Sequence, residues 1–215
     1  MEKGNHKRLC SGIILLVSFV LWTAAVCFVD VKAIGPRGST VGFAAINGFV
    51  HAVTGVHMRL YSVTDWLGLV PITFALGFGV FGLAQWIRRG RIKSVDRDIL
   101  LLGGFYAAVM AVYILFEYVV INYRPVLIAG IREASYPSST TMLVMCVMPT
   151  AAMQFNSRIK NLVIKRGISL LIAVFVVFMV IGRLVSGVHW FTDIVGGGIL
   201  SGGLVLLYRF FSGLE

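Results

Sequence analysis

The stretch GRLVSGVHWFTD, residues 182–193, sets an arginine, a histidine and an aspartate between two apolar runs. His189 stands six residues after Arg183, and Asp193 four residues after His189. Ionisable groups at the edge of a long apolar segment are costly to hold there, and they mark function more often than chance. The plainer reading is a structural Arg183–Asp193 ion pair. Which reading prevails depends on what else gathers at the same edge.

The surrounding chain is that of a polytopic membrane protein. Of its 215 residues 58% are hydrophobic and 13% charged, and its mean hydropathy is +0.90, outside the range of most soluble domains. Crossing a ~30 Å hydrocarbon core takes roughly 20 apolar residues in helical form. Six runs qualify, at 9–29, 66–87, 99–121, 140–155, 167–187 and 191–211, the fourth being the shortest. They predict an all-α bundle of about six transmembrane helices. The first run follows Lys7-Arg8 and lacks a small-x-small cleavage site, so it is expected to be an uncleaved signal anchor. Between the first two runs, Ile46, Phe49, Val50, Val53, Val56 and Leu60 recur at one-sided helical spacing within 41–60. This segment predicts an interfacial amphipathic helix, with His51 and His57 at the wet boundary. Gly196-Gly197-Gly198 and Gly202-Gly203 in the last run predict close helix approach. No repeat, low-complexity tract or second domain interrupts the chain, which reads as one membrane-embedded domain over 1–215.

A formal net charge of +10 does not here imply nucleic acid, because basic residues of membrane proteins concentrate in cytoplasmic loops and beside anionic headgroups. With the N-terminus placed in the cytoplasm of a multi-pass cell-membrane protein, 13 basic residues fall inside (Lys3, Lys7 and Arg8, the 88–97 loop, the 158–166 loop, Arg209) and 6 outside (Lys32, Arg37, Arg59, Arg124, Arg132, Arg183). The polar edge that holds 182–193 then faces outward. Cys10, Cys27 and Cys146 lie in or beside apolar runs without metal-ligand spacing and read as packing residues. No metal or cofactor is expected, and the sequence leaves the oligomeric state open.

Two further polar clusters share that outer edge: NYRP (122–125) and YPSSTT (136–141). Arg124 and Arg183 offer planar forks suited to phosphate oxygens. Ser138, Ser139 and Thr140 supply hydroxyls and, at a helix start, amides that point at an anion, although Ser138 or Ser139 also suffices as a simple cap. On a helix His189 and Asp193 share a face. A carboxylate on one imidazole nitrogen fixes the tautomer and leaves the other nitrogen the better nucleophile. Such a set suffices for in-line attack on phosphorus through a phosphohistidine, with the arginines stabilising the equatorial oxygens in place of a metal.

These clusters resemble the signatures of the type 2 phosphatidic acid phosphatase (PAP2) superfamily, KxxxxxxRP, PSGH and SRxxxxxHxxxD. Arg124-Pro125 match the end of the first, Pro137-Ser138 the start of the second, and Arg183, His189 and Asp193 the third at full spacing. The resemblance implies a helical membrane fold and a membrane-lipid phosphate or diphosphate as substrate. It implies that His189 is the nucleophile, Asp193 its partner, and Arg124 and Arg183 phosphate ligands. It also marks departures: Glu117 stands at the lysine of the first motif, Ser139 at the glycine and Thr140 at the acid histidine of the second, and Gly182 at the serine of the third.

Threonine is too weak an acid to protonate a leaving oxygen. Three readings stay open. Glu117 serves as the acid, or instead pairs with Arg124; the leaving group needs no acid, as with a polyprenyl diphosphate; or hydrolysis is lost and binding kept. The function expected first is a membrane lipid phosphatase at the outer face, favouring a polyprenyl diphosphate; the alternatives are a lipid phosphotransferase and a non-catalytic lipid-phosphate binder or transporter.

Overall fold

The computed structural model describes residues 2–214, with side chains from His6 onward. Met1, Glu215 and the Lys3 side chain lie outside the described residues. The described residues form eight α-helices: α1 (Glu2–Phe28), α2 (Ala44–Thr54), α3 (Met58–Leu67), α4 (Leu69–Arg89), α5 (Arg97–Tyr118), α6 (Ser139–Arg158), α7 (Leu162–Val185) and α8 (Phe191–Ser212). Among them five stretches are long and apolar enough to cross a membrane: His6–Phe28, Met58–Arg89, Arg97–Tyr118, Leu162–Val185 and Phe191–Ser212. Their outward faces carry exposed aliphatic side chains such as Val20, Leu76, Leu171 and Val174, as a lipid-facing surface requires.

The sixth expected span, 140–155, is α6. Its 20 residues cover about 30 Å at 1.5 Å per residue, but Thr141, Thr150, Gln154 and Asn156 dilute its hydropathy. The helix packs against α4, α5, α7 and α8, so its polar groups meet protein. Thr150 Oγ1 lies 3.1 Å from Tyr106 Oη, and Gln154 Nε2 donates to Tyr208 Oη at 2.6 Å. A helix enclosed by others satisfies its polar groups internally, which is what a low-dielectric surrounding demands.

The amphipathic segment 41–60 is not one helix. Gly55, at φ 66°, ends α2, and 58–60 belong instead to α3. With α4, α3 makes a continuous 32-residue stretch, longer than a bilayer core requires. Arg59, Tyr61 and Asp65 give this extension a polar composition, which hid its continuity with the apolar run at 66–87. In α2, Ile46, Phe49 and Val53 are exposed on one side, and Ala44 and Asn47 are buried on the other. Asn47 holds α2 to the start of α8: its Nδ2 donates to Thr192 Oγ1 at 3.0 Å, and its Oδ1 accepts from Thr192 N at 3.1 Å.

Successive spans alternate in direction, and this sorts the charges. Arg89 and Asp96, and Arg158 and Asp98, pair at 2.8 and 2.7 Å at one end of the bundle, which also carries the 88–97 and 158–166 basic loops. The C-terminal ends of α5 and α7 and the N-terminal ends of α6 and α8 meet at the opposite end. The glycines of α8 let neighbours approach. A Cβ on Gly196 would stand 2.6 Å from the Tyr136 ring, and one on Gly203 2.9 Å from Leu16 of α1. Tyr136, 2.7 Å from Thr23 Oγ1 of α1, thereby seats the 136–141 loop on α8.

Gly187, at φ +69°, lies where a Cβ would fall 1.9 Å from the Gly55 carbonyl oxygen, whereas Gly90, at φ +73°, has open space around it. Gly90→Ala is expected to incur only the left-handed backbone cost of about 1–2 kcal/mol. Gly187→Ala adds a backbone collision at the junction of α2 and α3 with the loop that carries His189. Thermal unfolding in detergent should place Gly187→Ala clearly below Gly90→Ala; equal melting temperatures would contradict the packing described.

Candidate active site

Residues 122–135, between α5 and α6, fold into a short antiparallel hairpin. Arg124 N donates to Glu133 O at 3.1 Å and Ser135 N to Asn122 O at 2.9 Å, and Tyr123 bridges Ala134. Ala129 and Gly130, at φ 49° and 79°, close it with the two left-handed residues that suit a tight hairpin turn. Side chains alternate across a strand, so Asn122, Arg124, Glu133 and Ser135 lie on one face of this hairpin. That face covers the first turn of α8.

Asp193 is the third residue of α8 and is fully buried (0% exposed). Its Oδ2 accepts from Trp190 N at 2.9 Å and from Ser135 Oγ, and its Oδ1 from Asn122 Nδ2 at 3.3 Å. Position near a helix N-terminus adds the favourable end of the helix dipole. The backbone carbonyl of Asp193 accepts from Ser138 N at 3.0 Å, which ties the 136–141 loop to the same turn.

His189 and Asp193 do not share a helical face. His189 precedes α8, in the turn that joins it to α7, and its Nδ1 lies 3.8 Å from Asp193 Oδ2, beyond hydrogen-bonding distance. The Ser135 hydroxyl stands between them, 3.1 Å from Nδ1. On the other side of the ring, Nε2 lies 3.5 Å from Arg124 Nη1. A guanidinium only donates, so this contact places the Nε2 lone pair toward Arg124. The imidazole is 3% exposed. Burial, reinforced by the charges of Arg124 and Arg183, holds its pKa well below the ordinary histidine range, so the ring is neutral at neutral pH.

The two arginines are placed alike. Arg124 is 9% exposed and Arg183 1%. Both guanidinium groups sit over the Tyr61 ring, at 5.9 and 5.0 Å from its centroid. Each also faces a carboxylate at the rim. Arg124 Nε is 3.0 Å from Glu133 Oε2, close enough for ion pairing although its N–H is not aimed at that oxygen. Arg183 Nη1 is 3.5 Å from Asp65 Oδ1 and 3.4 Å from Thr64 Oγ1. Arg183 therefore pairs with Asp65, not Asp193, and Arg124 with Glu133, not Glu117. Both Nε atoms are buried without a hydrogen-bond partner.

Ser138 caps α6, accepting from Thr141 N at 3.5 Å. Ser139 and Thr140 follow in its first turn and are partly buried. Glu117 is exposed on the last turn of α5; with Ser139 and Ser135 it lines a small recess of about 10 Å³. The structure thus gathers Arg124, His189, Asp193, Ser138 and, across Tyr61, Arg183, and leaves Glu117 at the periphery. Sequence reasoning missed Ser135, Asn122 as a carboxylate ligand, Glu133, Tyr61 and Asp65. The signal available for the first two was spacing: Asn122 and Ser135 each stand two residues from a motif position, the same-face interval of a strand. The 610 Å³ cavity between α4 and α5 is apolar and includes none of these residues.

The fold and site define a polytopic membrane protein with a buried Arg–His–Asp centre at one end of the bundle. A model of the PAP2 superfamily matches residues 102–213, over half the chain, and the chain belongs to that superfamily. Among solved structures it is similar to a transmembrane PAP2 type phosphatidylglycerolphosphate phosphatase from Bacillus subtilis, with a TM-score of 0.64 over 93% of this chain and 94% of that one, at 20% identity. No curated protein matches the sequence.

A histidine with a lowered folded pKa binds its proton more weakly than the unfolded chain does. Below the unfolded value, ~6.5, the unfolded state holds more protons, so this group subtracts stability as pH falls and not as it rises. NMR titration of the His189 ring should show it neutral at pH 6.5 and below. A midpoint at or above 6.5 would contradict the buried, arginine-flanked placement.

Proposed function

We propose that the protein is a lipid phosphatase that works through a phosphohistidine at His189. The observation that carries this reading is the contact between Arg124 Nη1 and His189 Nε2 at 3.5 Å: the nucleophilic lone pair and a phosphate-binding fork face the same point. A phosphoryl group enters there, takes donors from Arg124, Arg183 and the Ser138–Thr140 turn, and presents phosphorus to Nε2. The Nε2–P bond forms as the bond to the leaving oxygen breaks. Water then attacks phosphorus, the Nε2–P bond breaks and inorganic phosphate leaves. Asp193 stabilises the cationic imidazole of the intermediate. An acceptor hydroxyl in place of water would make the same site a phosphotransferase, and a binder or transporter would need the arginines but not an oriented imidazole.

Thr140 decides the substrate class. A phosphomonoester expels an alkoxide and depends on a general acid, typically worth ~10²–10⁴-fold. A lipid diphosphate expels a lipid monophosphate, a stable anion that departs unprotonated. Ser139 and Thr140 have no side-chain hydrogen bond among the described residues, which leaves their hydroxyls available to a polyanion. A polyprenyl diphosphate is therefore the favoured substrate, with the site at the outer membrane face and the N-terminus in the cytoplasm. Glu117 remains the candidate acid for monoesters, through the recess it shares with Ser139.

Phosphate release from chain-matched lipid mono- and diphosphates tests this. His189→Ala is expected to abolish release and keep lipid binding, and the unmodified protein to favour the diphosphate in kcat/KM. Thr140→His should raise monophosphate turnover more than diphosphate turnover, and Glu117→Gln should lower only the former. Full activity in His189→Ala would end the phosphohistidine reading; a monophosphate preference would end the diphosphate one. For the membrane face, Ser138 is too buried to probe, but Ile131, 64% exposed at the hairpin turn, is not. In a background without Cys10 and Cys27, Ile131→Cys should react with an impermeant thiol reagent added outside intact cells. Labelling only after lysis would invert the orientation.

A further inference from the structure

We infer that Ser135 is a positioning residue, the hydroxyl link of an Asp193–Ser135–His189 chain that sets the tautomer of His189. The inference rests on the proposed role of His189 and deepens it. Three observations lead to it, all at one oxygen atom. Ser135 is buried, its Oγ is bonded to Asp193 Oδ2, and the same Oγ lies 3.1 Å from His189 Nδ1. The imidazole and the carboxylate are too far apart, at 3.8 Å, to bond directly.

Proton directions in this chain follow from the chemistry of its members. An ionised carboxylate only accepts, so the Ser135 hydroxyl proton points to Asp193. The Ser135 oxygen then turns a lone pair to His189 and accepts from Nδ1–H. Arg124 only donates, so Nε2 is the bare nitrogen, in agreement from the opposite side of the ring. Donation to a carboxylate makes the hydroxyl oxygen a better acceptor. Negative charge on Asp193 thereby reaches the imidazole without contact, and it stabilises the positive charge that develops when Nε2 attacks. Ser135 is held for this purpose by the hairpin, its N–H bonded to Asn122 O at 2.9 Å, while Asn122 itself donates to the other oxygen of Asp193.

Without the hydroxyl, Asp193 loses one donor and the imidazole loses its link to Asp193, so that the Ser135 backbone is left as the acceptor for Nδ1–H. The Nε2–H tautomer, which cannot attack, then competes. Ser135→Ala is expected to lower kcat by about 10²-fold, the scale of a displaced reacting group, with KM nearly unchanged because the arginines and the 138–140 turn are intact. Ser135→Thr, which keeps the hydroxyl, should recover most of the loss.

The deciding measurement is ¹⁵N NMR of histidine-labelled protein, with the His189 signals identified by their absence in His189→Ala. Unmodified protein and Ser135→Thr should show the Nδ1–H tautomer alone, and Ser135→Ala a mixture of both. Ser135→Cys, of similar volume but a weak hydrogen-bonding group, supplies the same comparison if Ser135→Ala does not fold. An unchanged tautomer in the hydroxyl-free variant, or kcat equal to that of the unmodified protein, would overturn the inference. Absence of phosphate release from every lipid phosphate in the unmodified protein would instead defeat the catalytic reading, and the tautomer would still report on Ser135.

Discussion

The arrangement depends on keeping one carboxylate, that of Asp193, inside the protein without a cation in contact. A buried charge is held only where several donors replace its water. Three do so: the backbone amide of Trp190 at the cap of its helix, Asn122 from one strand of the hairpin and Ser135 from the other. The last two draw the base of the hairpin onto α8. That docking carries Arg124 to His189, because Asn122 and Arg124 share a strand face. The backbone carbonyl of Asp193 fixes Ser138, and with it the start of α6. One residue thus brings together three loops that are far apart in sequence, and the glycines of α8 make room for them.

The helical framework was legible because a lipid-facing helix must be apolar over a set length. Five spans follow from that rule alone. α6 was legible only in part, since a helix enclosed by other helices has no need to be apolar, and its threonines and Gln154 read as interruptions. The extension of α4 through α3 was illegible for the converse reason: Tyr61 and Asp65 contact the site arginines, and with Arg59 their polarity reads as a loop. Of the residues gathered at the candidate site, Arg183, His189 and Asp193 were expected from spacing. Ser135, Glu133 and Asp65 were not, because each is defined by a partner brought near by folding. A direct His189–Asp193 bond was expected from helical spacing, and it fails because the turn before α8 places His189 outside the helix.

On the proposed function, the charges of the site bear on how a phosphate would be received. Arg124 and Arg183 are buried like charges, and one aromatic ring, Tyr61, offers its negative face to both, an attraction that strengthens where water is excluded. Each guanidinium also has one half-exposed carboxylate at the rim, Glu133 or Asp65. Rim carboxylates in contact with solvent neutralise the arginines at low cost, because they keep much of their own hydration. The contacts they make are long or misaligned, and both Nε donors stay unused.

Those unused donors are what the proposed phosphate site would draw on, and what a structural ion-pair network would lack. In a network built for stability, a buried guanidinium would have its donors satisfied within the protein, since an unmade hydrogen bond costs more than a made one contributes. Here the shortfall sits on two arginines beside the bare nitrogen of His189. On the proposed function, a tetrahedral phosphoryl group would offer oxygens to both forks at once. On the same reading the hydroxyls of Ser139 and Thr140 would add donors to that group.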